Sequence, residues 1–548
     1  MNKLINLYRD LRIKDKKLIS TIPIDNRIIL SKLETNSSAD CELKYAWLNR
    51  ATTQVSKNKT SAILGLSDCD SKEHKVSRRM TLKYREEENL PIPFEINSSK
   101  DFEIFMNNIN QNFIIIKQNY PNYKNEEFLR LKKYNFKNKK IIYANIEKSN
   151  IVIGSNESLE KICAKDTKWL SNKIEEYLIY FYNKNDIKFI KEDYDFSLKT
   201  MIKLVNSILI KSELYKGDIS NLRNRIKNLL SNNILPVLKF SDSISGYGVH
   251  YPKNNDGKYN RDEIEEVIEN DICFEKYLVS VFCKNGQTIN KDNLLKKIEE
   301  NGIILQKYIE GNDYAIGFFK PLEMYAQQFS LGLIDLDISE VLTNGTAHYG
   351  DILHYEEEFI HNILKNTFFK GQSELLYFSI EILLFLICVN EGIVNKPEEL
   401  INFNIEDFGI QFMVNDKTGE IGLIEINART PSHNFNHFNL LSVYGREFWN
   451  SYLLPSKKIL CSSAKIIVIT ELYKIIKNEE DENKLIHFLK TKMSNNYNKR
   501  CQLISFQVLD NFFTVYYNYF IEDNNFSYDI IKKIEIFFKE SISAFINH

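Results

Sequence analysis

Gly409-Ile-Gln-Phe-Met-Val-Asn-Asp-Lys-Thr-Gly-Glu-Ile-Gly-Leu-Ile-Glu-Ile-Asn-Ala-Arg429 is the stretch from which the rest of the chain is best read. Two apolar runs flank Asp416-Lys417-Thr418-Gly419, so the stretch reads as two short strands joined by a turn. Side chains alternate along a strand with a period of two, which puts Glu425, Asn427 and Arg429 on one face. An acid, an amide and a guanidinium in apolar sequence are costly to bury without partners. They suit a charged ligand, with oxygens for a hard cation and a fork for an anionic oxygen. Such a face fits Mg²⁺ and a polyphosphate. The same residues also fit a half-exposed hairpin strand that binds nothing, and the rest of the chain has to decide.

With 548 residues, the chain is long enough for about two to four domains with ample core. Lysine and arginine (72) nearly balance aspartate and glutamate (73), so no global field points to nucleic acid or a membrane surface. The basic patches are scattered and lack the aromatic interleaving of a single-strand binder. Phe (35) and Tyr (30) are abundant while Gly (19) and Pro (10) are scarce, which fits a packed protein with few flexible linkers. The cysteines Cys41, Cys69, Cys163, Cys273, Cys283, Cys388, Cys461 and Cys501 form no C-x-x-C pair, so neither a zinc ribbon nor a redox dithiol is indicated. Asn58 and Asn344 open Asn-x-Thr triplets that carry no weight without a secretory signal, and the first ten residues hold no signal-peptide core. Leu375 to Val389 is the most apolar run, but it contains Glu381 and is short for a bilayer, so it predicts a buried helix. A reduced, soluble, cytoplasmic protein is expected.

No internal repeat is evident. Residues 1–160 mix short apolar strands (113–117, 141–145, 151–154) with helical stretches, which predicts an α/β domain. From Lys165 to Tyr182 the spacing is helical, with Trp169, Ile174, Leu178 and Tyr182 toward a core. A second helix-rich stretch is expected from about Leu198 to Asn232, then a strand over 235–240 and a turn-rich run over 241–249. The last stretch, 456–548, alternates strand and helix (465–470, 512–516) and predicts a small appended α/β unit.

Two further segments carry chemistry. Lys239 ends a strand and is followed by a loop with Ser245, Gly246 and Gly248, which could set an ammonium and backbone N–H groups against phosphates. It is neither a Walker A loop nor G-x-G-x-x-G, and an ordinary hairpin turn has the same composition. Ile303-Ile-Leu-Gln-Lys-Tyr-Ile309 then runs into Glu310-Gly311-Asn312-Asp313, a strand, a glycine turn and an acid. Strand-end backbone could pair with an adenine edge and a carboxylate could hold a ribose.

In their order and spacing, Lys239 with its glycine loop, Gln306 to Asp313, and Gln411…Glu425-x-Asn427-x-Arg429 resemble the ATP-grasp superfamily of ADP-forming ligases. The resemblance spans roughly residues 165–450, including the apolar helix before the hairpin. It implies an α/β fold: an N-terminal pre-ATP-grasp-like domain over 1–160, an ATP-grasp domain over 165–455 and an appendage over 456–548. It implies ATP and Mg²⁺ as cofactors, with Lys239 on a phosphate, Gln306 and the backbone of Lys307, Tyr308 and Ile309 at adenine, and Asp313 at ribose. It further implies Gln411, Glu425 and Asn427 at magnesium, and Arg429 on the transferred phosphoryl group. Lys239 and Arg429 are then the catalytic residues. Lys165-Asp-Thr-Lys168-Trp169 resembles the helix start whose lysine reaches ATP, provided that an insertion lies within 190–225. The metal strand is closest to the carbamoyl-phosphate synthetase type, where glutamine also stands first. Gln411 lowers the site's negative charge by one relative to the commoner acid.

The implied reaction joins a carboxylate to an amine. The carboxylate attacks the γ-phosphate, ADP leaves, and the amine displaces phosphate from the acyl-phosphate. Partners are small-molecule carboxylate and amine substrates, such as an amino acid or peptide, with no nucleic acid and no membrane; a homo-oligomer stays open. A thiol or phosphoryl acceptor, or a nucleotide-binding module without turnover, would use the same core residues. Several residues stand outside this scheme. Asp335-Leu-Asp337 reads as a solvated strand or loop, and His348, His354, His433 and His437 as ordinary histidines. The run from Asp351 to Glu358 reads as a solvated helix face, and no Ser–His–Asp or Cys–His arrangement can be argued.

Overall fold

The structure, a computed structural model, describes residues 2–20, 27–32, 61–64, 72–90, 92, 94–96, 99–108, 113–118, 140–144, 156–188, 190–244, 247–254, 258–282, 291–319, 334–344, 347–354, 357–402, 407–427, 460–469, 475–497, 501–508, 512–521 and 528–547. The chain is an α/β protein whose described residues form three sheets. Strands β1 (Arg27–Lys32), β2 (Ser61–Leu64), β3 (Phe94–Ile96), β4 (Phe113–Gln118) and β5 (Lys140–Ala144) lie in the order β3-β2-β1-β4-β5. Every pairing in this sheet is parallel, and the strands expected at 113–117 and 141–145 are β4 and β5. The strand predicted at 151–154 lies outside the described residues.

The second sheet is antiparallel, with β6 (Ser212–Tyr215), β7 (Pro236–Ile244), β8 (Tyr247–His250) and β9 (Ile303–Lys307) in the order β6-β9-β7-β8. Leu238, Phe240, Ile303 and Leu305 turn to one side, into a core shared with the helices Ile219–Ser231, Asp271–Phe282 and Lys291–Glu300. The helix-rich stretch 198–232 holds parts of two helices, Lys191–Ile208 and Ile219–Ser231, with β6 pairing along β9 between them. One sequence expectation is corrected here. The turn-rich run 241–249 is mostly strand: β7 continues to Ile244 and pairs with β8 at Ile244 and Tyr247.

The third sheet carries β10 (Asn312–Phe319), β11 (Ile334–Asn344), β12 (Ala347–His354), β13 (Asp407–Val414), β14 (Ile421–Asn427), β15 (Leu460–Ile469), β16 (Cys501–Val508) and β17 (Phe512–Ile521). Their order is β14-β13-β10-β11-β12-β15-β17-β16, antiparallel throughout. Its β10–β13–β14 end covers the helix Ser373–Asn390, which is apolar all round and therefore buried on every side. That helix is long and apolar enough to cross a membrane, but most of it is packed inside the molecule. The helix Thr167–Lys184 lies beside it, as predicted from 165–182, with Asp166 capping its first turn by accepting the Trp169 N–H at 2.7 Å.

Hydrogen bonding and packing cross both boundaries expected from sequence. β15 pairs with β12, so the segment after 456 continues the large sheet. The helix Lys72–Glu87, from the N-terminal region, packs on β16 in a core with the helices Glu479–Tyr497 and Tyr528–Asn547.

Candidate functional site

β13 and β14 form the hairpin read from 409–429. Asn415 Oδ1 accepts the N–H groups of Lys417 and Thr418, and Gly419 takes a φ of 73° that L side chains rarely adopt. A Cβ on Gly419 would lie 2.0 Å from the Asn366 carbonyl oxygen, so glycine is required on two grounds. A bulge between Gln411 and Phe412 puts Gln411 opposite Glu425 and Gly409 opposite Asn427. Ile410, Phe412, Leu423 and Ile426 then face the helical core, which leaves Gln411, Glu425 and Asn427 on the other face.

That face meets the cleft side of β7 and β9. Leu238 and Phe240 point into the helical core, so Lys239 between them points the opposite way, and it is 3% exposed. Its Nζ donates to the carbonyl of Ile424 on β14 at 3.3 Å, bridging the two sheets. Burial pushes the Lys239 ammonium down to about 8, against the pull of the Glu425 and Asp313 carboxylates. Gln306 is buried on the same cleft face, where it pairs with Val237.

Asp313, at the start of β10, sits beside Gln411, whose Nε2 donates to Asp313 Oδ2 at 2.6 Å. Asp313 Oδ1 is buried and has no hydrogen-bond partner among the described residues. Burial raises the Asp313 carboxyl well above the usual range, opposed by the Gln411 bond, and the charges of Glu425 and Asp351 push it the same way. Asn427 Nδ2 donates to Glu425 Oε1. Both amides thus spend an N–H on a carboxylate and keep a carbonyl oxygen for another partner.

Asp351 is the residue that sequence reasoning misplaced. It is no solvated helix position: it lies in β12 between Gly350 and Ile352, is 1% exposed, and its charge reaches Asp313. The helix begins only at Glu357. The apolar Ile352-Leu353 beside it was the available signal for a strand. Asp335 and Asp337 lie in β11 and His348 in β12, while His354 stacks on Phe359 with centroids 3.4 Å apart.

At the hinge after β9, the Lys307 N–H donates to Lys211 O at 2.8 Å and the Tyr308 N–H to Leu235 O at 2.7 Å. The Lys307 ammonium pairs with Glu420, tying the hinge to the β13–β14 turn. Ile309 Cδ1 lies over Gly422, where an added Cβ would approach it to 2.3 Å. Lys168 stands exposed on the first turn of its helix, which packs mainly against the helices Lys191–Ile208 and Ser373–Asn390. The region 190–225, where an insertion was expected, holds the first of these neighbours, Lys191–Ile208, and β6. Gly248 lies within β8. Ser245, Gly246, Arg429, His433 and His437 lie outside the described residues.

Buried Lys239 and Gln306 on one antiparallel sheet thus face the cleft against half-buried Asp313, Gln411, Glu425 and Asn427 on the other. The arrangement holds fixed charge of both signs together with amide oxygens, the equipment for binding a polyanion with a cation. No protein-family model matches the sequence, and no curated protein matches it. Among solved structures, the chain is similar to N5-carboxyaminoimidazole synthetase from Staphylococcus aureus complexed with ADP (10% identity, 95% of this chain and 99% of that chain, TM-score 0.42). It is also similar to biotin carboxylase from Campylobacter jejuni (11%, 91% and 88%, TM-score 0.40) and to L-amino acid ligase from Bacillus licheniformis (8%, 93% and 96%, TM-score 0.37).

Proposed function

We propose that the protein is an ATP-grasp enzyme, an ADP-forming ligase that activates a carboxylate with MgATP and joins it to an amine. One observation carries this reading. Lys239 reaches from β7 to β14 inside a cleft whose opposite wall presents Gln411, Glu425 and Asn427, the residues read from sequence as the phosphate and metal groups. Glu425 stands on the cleft wall beside Lys239, and a divalent cation held there offsets its carboxylate together with phosphate charge.

The donor set fits magnesium. Among the described residues no three His, Cys, Asp or Glu side chains converge as a metal cluster. The donors here are one carboxylate, Glu425, and the amide oxygens of Gln411 and Asn427, and Mg²⁺ takes few protein oxygens alongside phosphates and water. When bound it neutralises phosphate charge. Lys239 holds a phosphate oxygen, Asp313 takes the ribose, and Arg429, two residues after Asn427 in the sequence, is the group for the transferred phosphoryl. The N–H groups of Lys307 and Tyr308 are already bonded, so the adenine edge meets the remaining hinge groups around Ile309. A carboxylate oxygen attacks the γ-phosphorus, the β–γ bridge breaks to give ADP, and an amine nitrogen then displaces phosphate from the acyl carbon.

The test is ADP and phosphate release by the full chain across a panel of amino acids and short peptides. Release that requires both an acid and an amine is expected, and Glu425→Ala should lower it at least about a hundredfold. ATP binding without turnover across the panel would favour a nucleotide-binding module, and unchanged turnover in Glu425→Ala would remove the metal assignment.

A further inference from the structure

Three neighbouring strands carry a line of polar side chains across the cleft face. In the order β14-β13-β10, Gln411 on β13 pairs with Glu425 of β14 on one side and with Ala315 of β10 on the other. Asp313 is the next residue of β10 on that face, two along from Ala315 and opposite Met413. The small Ala315 leaves room beside Gln411, and the diagonal step to Asp313 is within reach of a long side chain. Gln411 takes that step: its Nε2 donates to Asp313 Oδ2 at 2.6 Å. On the other strand Asn427 Nδ2 donates to Glu425 Oε1. Asp313 Oδ1 stays buried with no hydrogen-bond partner among the described residues.

An amide ends in one nitrogen that donates and one oxygen that accepts. Which end of Gln411 is left for a cation therefore depends on which end is already held. Asp313 holds the nitrogen, so the oxygen is the end left over, and magnesium takes oxygen. Without that hold, the same amide can turn its N–H groups to the Glu425 carboxylate opposite and withdraw its oxygen. A glutamate at 411 would have no N–H to give, and two carboxylates at hydrogen-bond distance repel each other. The neutral side chain at 411 thus makes the bond to Asp313 possible, and the bond sets which atom that side chain can offer.

We propose that Asp313 is a positioning residue for the metal: by accepting the Gln411 N–H on Oδ2, it commits the Gln411 carbonyl oxygen to the cation. This rests on reading the cleft as a MgATP site and adds a second role to the ribose contact. Oδ1 takes the ribose while Oδ2 orients a metal ligand, so one carboxylate joins the nucleoside end of the site to its metal end. Hydrogen-bonded neighbours that orient a ligand set about ten- to a hundredfold of metal affinity.

The experiment titrates the full chain with Mn²⁺ in the presence of ATP or of 2′,3′-dideoxy-ATP, read by electron paramagnetic resonance and water-proton relaxation. The dideoxy nucleotide has no ribose hydroxyl for Asp313 to hold, so an effect of Asp313 there runs through Gln411. With it, Asp313→Ala should weaken Mn²⁺ binding about tenfold and add about one water to the metal. Asp313→Asn, whose carbonyl can still accept from Gln411, should stay within about threefold of wild type. Gln411→Ala should show the same loss as Asp313→Ala, and combining the two should change the affinity by less than about twofold more. The inference is overturned if Asp313→Ala weakens binding with ATP alone, or if its loss is undiminished in the Gln411→Ala background. If wild type holds Mn²⁺ with neither nucleotide, or Glu425→Ala holds it as tightly as wild type, the MgATP reading itself fails and this inference falls with it.

Discussion

Lys239 shows what burial does to a single residue. Its ammonium is held near 8 by desolvation, so the free protein loses that charge just above neutral pH. Phosphate binding needs the protonated form. The affinity for MgATP should therefore be flat below about pH 8 and fall by up to about tenfold per unit above it. Titration calorimetry from pH 6.5 to 9.5, on the order of three units, covers the break, with proton uptake on binding at the alkaline end. Lys239→Met should bind weakly with no break there. Gly311 makes a second case, since a Cβ would lie 2.1 Å from the Val414 carbonyl oxygen, a backbone atom. Gly311→Ala should push the hinge turn off β13 and lower both the thermal midpoint and nucleotide affinity. At this scale the sequence was legible wherever one strand sufficed: a period of two placed Glu425 and Asn427 together. Asp351 was not legible, because its charge reaches Asp313 only after β10, β11 and β12 are laid side by side.

Elements also met in ways that no local pattern announces. β16 is the last strand of the large sheet, and its outer edge is covered by a helix. Ser77 Oγ donates to Val508 O at 3.3 Å and accepts the Val508 N–H at 2.8 Å, and Thr81 Oγ1 does the same with Phe506, at 3.3 and 3.0 Å. Four helical residues rise about 6 Å and two strand residues span about 6.6 Å, so hydroxyls four apart match every second residue of the strand. The helix thus stands in for a missing strand and blunts an edge that would otherwise invite pairing. Ser77→Ala and Thr81→Val should each cost about 1–3 kcal/mol in denaturant unfolding, because a buried N–H and C=O lose their partner. The double variant should also associate at concentrations where wild type stays monodisperse by light scattering. A single-sequence reading sees only a polar helix here, since Ser77 and Thr81 are more than four hundred residues from the strand they complete.

The whole molecule is tied end to end by such contacts. Leu4, Ile5 and Tyr8 enter the core built around the helix Ser373–Asn390. Arg9 Nε pairs with Glu374 Oε1 at 2.6 Å, and the Arg12 guanidinium lies 3.8 Å from the Tyr377 ring centroid. At the other end, β12 pairs with β15, and Val76, Met80 and Tyr84 join the C-terminal core. The segment 165–455, which sequence marks off as the catalytic unit, therefore leaves apolar surface uncovered on one side and an open sheet edge on the other. Each large side chain so exposed forfeits about 1.5–3 kcal/mol, comparable with a sizeable share of a domain's net stability. A fragment of residues 165–455 should accordingly unfold without a sharp transition, bind a hydrophobic dye and be cut rapidly by protease, whereas the full chain unfolds cooperatively. Circular dichroism melts and limited proteolysis of the two species check this. A fragment that melts as sharply as the full chain would mean that the terminal helices are peripheral braces and the cleft is self-supporting.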